Sequence, residues 1–153
     1  MDHDSSESEA LTAENEDEAD EFRQIEWNFL FDRCESAFGY PPRPEQVDAI
    51  YTLTHHQRDV ILTAPTGWGK SLVFQSIPLV RRLRTNGMCL VIMPLNVLQQ
   101  DQLRSMERLL SASCCVLNGD TNSRSLRNQI AKGDFTHVLT SPEIALQETF
   151  RTD

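Results

Sequence analysis

Apolar residues recur at helical spacing through Trp27, Leu30, Phe31, Cys34, Ala37 and Phe38 until Gly39 and Pro41-Pro42 stop the repeat, which predicts an amphipathic helix docked on a core. Pro44 suits the first turn of a second helix, whose stripe is Val47, Ile50 and Tyr51, extending to Leu53. A first strand is expected from Val60 to Thr63. After a glycine-bearing turn, a further helix starts at Lys70 with Leu72, Val73 and Phe74, and Pro78 should kink or end it. The pattern then alternates. Met88 to Met93 is an apolar run of strand length, Val97 to Leu110 is helical with Leu98, Leu103, Met106 and Leu110 as buried positions, and Cys114 to Leu117 is a short strand. A turn at Asn118-Gly119-Asp120, a polar helix over 122–132 closed by Gly133, and a strand from Thr136 to Thr140 complete the series. Strands without polar alternation, separated by helices, predict an α/β fold with a parallel sheet covered on both faces.

Composition divides the chain in two. Of 23 acidic residues, ten lie in residues 1–21, which carry no Lys or Arg, so the net charge of −9 belongs to that stretch and the remainder is close to neutral. Such a segment cannot bury enough apolar surface to offset its ordering entropy, and residues 1–21 are expected to form a disordered acidic tail ahead of one domain over 22–153. A basic protein partner for the tail is one expectation, a plain solvated terminus another. The cysteines Cys34, Cys89, Cys114 and Cys115 form no C-x-x-C pair and read as reduced core residues, and the four histidines have no metal-ligand spacing. His55-His56 reads as a helix end on the surface, and Arg81-Arg82-Leu83-Arg84 as the polar end of a helix rather than a targeting cluster. No signal-peptide pattern and no apolar run of membrane-spanning length is present, so the expectation is a soluble, intracellular protein without a membrane partner.

The chemistry concentrates in Ile61-Leu62-Thr63-Ala64-Pro65-Thr66-Gly67-Trp68-Gly69-Lys70-Ser71. Two glycines allow a turn tight enough for successive N–H groups to face one anion, and the helix that follows adds the positive end of its dipole. Lys70 supplies a charge for the β- and γ-phosphates of a nucleotide, and Ser71 a hydroxyl where Mg²⁺ would sit. Trp68 is either a lid over the nucleotide or a surface side chain.

Four local patterns, in order, resemble the RecQ-type DNA helicases of superfamily 2: Phe38-Gly39-Tyr40 with Arg43-Pro44-Glu45-Gln46; Pro65 to Gln75; Pro94-Leu95-Asn96-Val97-Leu98-Gln99-Gln100-Asp101-Gln102; and Thr140-Ser141-Pro142-Glu143. The resemblance implies the first part of a RecA-like P-loop NTPase domain of the DEAD/DEAH-box class. It also implies ATP and Mg²⁺ as cofactors, single-stranded or partly duplex DNA as a partner, and nuclear residence. Arg43, Gln46, Thr66, Gly67, Gly69, Lys70 and Ser71 would hold the nucleotide, with Gln46 reading the adenine edge through an amide that offers both donor and acceptor. Ser71 would be the one residue on the metal. Pro94, Leu95, Gln102, Thr140 and Ser141 would touch the phosphate backbone of one DNA strand, contacts that give affinity without reading sequence. The sequence departs from the family where Pro42 replaces the aromatic residue usual before the arginine, and the segment is one residue short.

An Asp-Glu pair on a later strand and a second RecA-like domain are both expected of a working helicase, and neither follows Lys70 here. Asp17-Glu18-Ala19-Asp20 has the letters of such an acidic motif, but no apolar strand precedes it and it lies before Lys70. The resulting expectation is an incomplete domain, a fragment of an ATP-dependent 3′–5′ DNA helicase with little or no turnover of its own and an open apolar sheet edge. A non-catalytic nucleotide- or partner-binding remnant and another P-loop NTPase, such as a kinase or assembly ATPase, are the alternatives.

Overall fold

The computed structural model describes the backbone of residues 4–80, 88–109 and 112–147, and their side chains from residue 18 onward except 79 and 80. Helix α1 (Asp4–Phe38) leads into α2 (Pro44–Tyr51), which runs on through a π-helical turn at Thr52–His56 and ends where Gln57 takes a left-handed φ of 51°. The acidic stretch expected to lack order is helical here from Asp4. It is rich in helix-forming Glu and Ala and continues a helix that is nucleated by packing further along. Only from about Trp27 does α1 meet the core, and residues 18–25 are exposed. The Trp27 indole N–H donates to Asp48 at 2.8 Å, which fixes α1 against α2, and His55 and His56 lie exposed at the end of the π turn as the sequence suggests.

Helix α3 (Lys70–Val80) packs on both of these helices, so that Leu30 and Cys34, Val47 and Ile50, and Leu72 and Val73 form one buried cluster. The rest of the chain is β1 (Cys89–Ile92), α4 (Asn96–Met106), β2 (Cys114–Leu117), α5 (Arg124–Ala131), β3 (His137–Thr140) and α6 (Pro142–Ala145). The strands form a parallel sheet in the order β1-β3-β2, with Val91 and Val116 both level with Leu139, and Leu90 and Cys115 both level with Val138. Leu139 and Val116 pack with Met106 of α4 on one face, and Val138, Cys115 and Leu117 pack with Ile144, Leu126 and Ile130 on the other. This is a small parallel α/β sheet with helices on both faces, consistent with an incomplete RecA-like P-loop fold.

Four expectations need correction. Val60–Thr63 forms no strand: Val60 and Leu62 face the helical core while Ile61 is 95% exposed, so the segment alternates as a strand does but has no ladder partner among the described residues. Cover is incomplete at β1, where Leu90 and Ile92 stay exposed because α5 and α6 reach only β2 and β3. Leu98 is exposed and Gln99 is buried instead, since the inward face of α4 runs through Gln99, Leu103 and Met106 at steps of four and three. Cys89 and Cys114 are only half-buried, although all four cysteines are free thiols. Burial raises each pKa, to about 11 for Cys34 and Cys114 and about 12 for Cys115, so none is a ready thiolate. The Arg81–Arg84 cluster and Leu110 lie outside the described residues.

Pro78 stands within α3 and does not end it. Having no N–H, it leaves the carbonyl of Phe74 without its usual helical donor, and the Nε2 of His137, on the central strand, lies 3.2 Å from that oxygen. His137 is fully buried, and desolvation lowers its pKa despite the opposing carbonyls of Phe74 and Gln75. The unfolded chain takes up a proton here near 6.5 while the folded chain resists until lower pH, so stability present at neutral pH is lost as pH falls through that range. We therefore expect the urea midpoint to drop between about pH 7.5 and about pH 5.5, and His137→Asn to flatten part of that slope. An identical slope in the variant would show that His137 does not titrate as the geometry requires.

Candidate functional site

The loop between the unpaired Val60–Thr63 segment and α3 is shaped by its glycines. Gly67 has φ 82° and Gly69 φ 97°, conformations that residues with a Cβ rarely adopt, and the Trp68 N–H closes the turn on the Pro65 carbonyl at 3.3 Å. Helix α3 starts at once after Gly69, so its first N–H groups follow directly on this turn, and that of Leu72 closes on Gly69 O at 3.0 Å. Lys70 is exposed, and its ammonium donates to the carbonyls of Ala64 at 2.6 Å and Pro65 at 2.8 Å, folded back over the loop that precedes it. Thr66 is exposed and Ser71 half-buried.

Helix α2 braces the loop from behind. The Gln46 amide nitrogen donates to Gly69 O at 2.9 Å and, more weakly, to Trp68 O at 3.4 Å, while its Oε1 accepts the Arg43 N–H at 2.8 Å. One side chain thus caps α2 and holds the turn. Gln46 is 3% exposed, and a Cβ built on Gly69 would sit 2.6 Å from its Nε2. Arg43 is exposed, with its guanidinium carbon 5.8 Å from the Trp68 ring centroid, a cation–π arrangement. Arg43, Gln46, Thr66, Gly67, Gly69, Lys70 and Ser71 therefore meet around one turn.

This turn fits a polyphosphate. Two positive-φ glycines, a helix N-terminus and an exposed ammonium make an anion cradle, and only the Lys70 side chain has to release two carbonyls for its charge to reach a ligand. For a divalent cation the fit is narrower. No cluster of three His, Cys, Asp or Glu side chains occurs among the described residues, so the Ser71 hydroxyl would act together with phosphate oxygens and water.

The residues expected on DNA lie at and beyond the ends of the neighbouring strands β1 and β3, where the Met93 N–H donates to Thr140 O at 2.8 Å, but they differ in accessibility. Pro94 and Leu95 are exposed at the C-terminal end of β1, and Leu95 is 58% exposed. Gln102 instead accepts from the Gln75 amide at 2.8 Å, linking α4 to α3. Thr140 is fully buried with its hydroxyl on Leu117 O at 2.7 Å, so its side chain belongs to the sheet and cannot reach a ligand. Ser141 is 7% exposed, and the exposed Glu143 carboxylate nearby is held below the usual carboxylate range, first by its own backbone N–H and then by the Ser141 hydroxyl.

Sequence reasoning passed over a buried network between these loops. Gln99 donates to Met93 O at 2.9 Å and accepts from Asn118 at 3.1 Å, while Asn118 Oδ1 accepts the N–H groups of Asp120 and Thr121. The loop after β1 is thereby tied to the turn after β2. The signal was available in the phase of α4, where Gln99 lies four residues before Leu103 and seven before Met106.

The sequence pattern of the family described as DEAD/DEAH box helicase matches residues 43–152. Among curated proteins, the chain is similar to the mouse bifunctional 3′-5′ exonuclease/ATP-dependent helicase WRN, 31% identical over 107 residues, which are 69% of this chain and 7% of that protein. It is also 34% identical over 115 residues to the ATP-dependent helicase SGS1 of Saccharomyces cerevisiae, 73% of this chain and 8% of the relative. The ATP-dependent DNA helicase RecQ of Synechocystis is 29% identical over 113 residues, 72% of this chain and 22% of the relative. The chain thus spans less than a tenth of the first two.

Gly69→Ala is expected to lower stability by about 1–3 kcal/mol, from left-handed backbone strain and the displaced Gln46 amide together. Made in a Gln46→Ala background, the same change should cost less, because only the backbone strain remains. Equal costs in the two backgrounds, measured by urea denaturation, would contradict the close approach of Gln46 to Gly69.

Proposed function

The chain belongs to the DEAD/DEAH box helicase family, and on that premise we propose that these residues form the ATP-binding part of a RecQ-like, 3′–5′ DNA helicase. The observation that carries this reading is the positive-φ pair Gly67 and Gly69 directly before Lys70 at the head of α3, with the Gln46 amide pressed against the turn. In this reading the triphosphate lies against the loop amides and the N-terminus of α3. Lys70 leaves the Ala64 and Pro65 carbonyls for the β- and γ-phosphates, and Ser71 holds Mg²⁺, which would neutralise phosphate charge.

Gln46 selects the base. Its Oε1 uses one lone pair on the Arg43 N–H and keeps a second for an exocyclic amino group, which adenine has at the position where guanine has a carbonyl. The long bond to Trp68 O is the weakest of its contacts and the one that yields if the amide is to donate to the base as well. Arg43, exposed beside it, adds a charged plane at the same spot.

DNA contact, by this account, falls to backbone groups of the Pro94-Leu95 loop more than to the side chains of Thr140 and Ser141. A second reading applies to the 153-residue polypeptide taken alone: nucleotide binding without turnover. It is favoured by the acids after Lys70, none of which is adjacent to another, so that no Asp-Glu pair is at hand to orient water. Calorimetric titration with Mg-ATP is expected to show binding that Lys70→Ala weakens at least about tenfold, a loss of the size a charge-assisted contact provides. The same protein should release no phosphate above background. Unchanged affinity in Lys70→Ala would remove the phosphate-loop reading, and turnover abolished by Lys70→Ala would remove the second reading in favour of a competent ATPase.

A further inference from the structure

Two buried amides stand between the loop after β1 and the turn after β2, and the hydrogen bonds that join them admit one direction only. The Met93 carbonyl at one end can only accept, so Gln99 Nε2 faces it at 2.9 Å. Gln99 Oε1 is then left for the Asn118 amide nitrogen at 3.1 Å, and Asn118 Oδ1 for the N–H groups of Asp120 and Thr121, which can only donate. Gln99 is fully buried and Asn118 is 3% exposed. We propose that Gln99 and Asn118 are positioning residues for DNA, which hold the exposed Pro94-Leu95 segment at a fixed distance from the turn after β2 so that its backbone groups meet one strand; the proposal rests on the DNA-contact reading above.

Packing alone does not call for this pair, since apolar side chains of the same shape would fill the space without desolvating two amides. A polar relay fixes what apolar contact leaves free, the distance and orientation of its two ends. Gln99 grips the exposed segment from both sides: its side chain holds Met93 O just before Pro94, and its backbone N–H closes on Leu95 O at 3.2 Å just after. Both polar backbone groups of Met93 are therefore taken, the carbonyl by Gln99 and the N–H by Thr140 O on the central strand. At the far end the turn is anchored to β2, because the Thr121 hydroxyl donates to Val116 O at 2.6 Å. The relay thus spans the C-terminal ends of the strands, the side on which an open parallel α/β sheet binds its ligands. Pro94 and Leu95 stand exposed there, with their neighbours on either side held.

The test titrates the full chain into a fluorescein-labelled oligothymidylate about 15 nucleotides long, read by anisotropy, beside calorimetry with Mg-ATP. Gln99→Met made together with Asn118→Leu keeps the volume and removes the relay. Asp120 and Thr121 are exposed, so water takes over their N–H groups and the urea midpoint should stay close to that of the wild type. Affinity for the oligonucleotide is expected to fall about tenfold, with that for Mg-ATP unchanged. The swapped pair, Gln99→Asn with Asn118→Gln, keeps the direction and length of the relay and should recover most of the loss, which a role in packing alone does not predict. If the apolar pair does not fold, hydrogen exchange of the wild-type chain takes its place: the oligonucleotide should slow exchange at Leu95 and, through the relay, at Asp120 and Thr121. Unchanged oligonucleotide affinity in the apolar pair, equal loss of both ligands, a swapped pair no better than the apolar one, or protection at Leu95 alone would overturn the proposal and leave the DNA-contact reading standing. If the wild-type chain does not bind the oligonucleotide, that reading itself fails and the proposal falls with it.

Discussion

The Gln46 amide occupies the space that a Cβ on residue 69 would need, and it does so while donating to that residue's own carbonyl. Much of the site's shape follows from this single approach. Only glycine tolerates both the contact and the φ of 97°, which leaves the chain free to turn straight into α3. Because the same amide accepts the Arg43 N–H, the first turn of α2 is set at a fixed distance from the loop, and Arg43 comes to lie over Trp68. The apolar cluster of α1, α2 and α3 supports this arrangement from below, with Val47 and Ile50 buried one and four residues beyond Gln46. Local polar geometry and the helical core therefore agree on one position for the loop.

Beyond the loop, three polar struts tie α3, α4 and the sheet together. Gln75 reaches Gln102 on α4, His137 reaches the Phe74 carbonyl that Pro78 leaves free, and Gln99 joins the ends of β1 and β2 through Asn118. Each is buried or partly so, and breaking any one leaves a polar group without a partner. A displacement of α3 is consequently shared with the loops after β1 and β2 unless one of these bonds is given up. The exposed Pro94 and Leu95 lie next to Met93, whose carbonyl takes part in this network.

Helices and buried strands were legible because their signal is local periodicity. The stripe of Val47, Ile50 and Tyr51 and the continuous run in β3 leave little choice of element. Val60–Thr63 misled because a strand is defined by its partner, and apolar β-branched residues indicate extended chain without saying whether a ladder exists. The motif letters gave which residues gather at the turn, since glycine spacing dictates that, but not which side chains face outward. Thr140 and Ser141 look alike in sequence to contact residues, yet one closes the sheet through Leu117 O and the other is 7% exposed. Gln99 and His137 were hidden because their roles depend on carbonyls distant in the chain, and only the three-dimensional fold brings those within reach.

The proposed role of the turn from Thr66 to Ser71, braced by Gln46, is to receive the phosphates of an adenine nucleotide. Amide-resolved NMR of the labelled chain during titration with Mg-ADP tests it most directly. The backbone signals of Gly67, Gly69, Lys70 and Ser71 and the side-chain amide of Gln46 are expected to move together and saturate at one nucleotide per chain. Saturable shifts confined to other residues, or none at the loop, would contradict it.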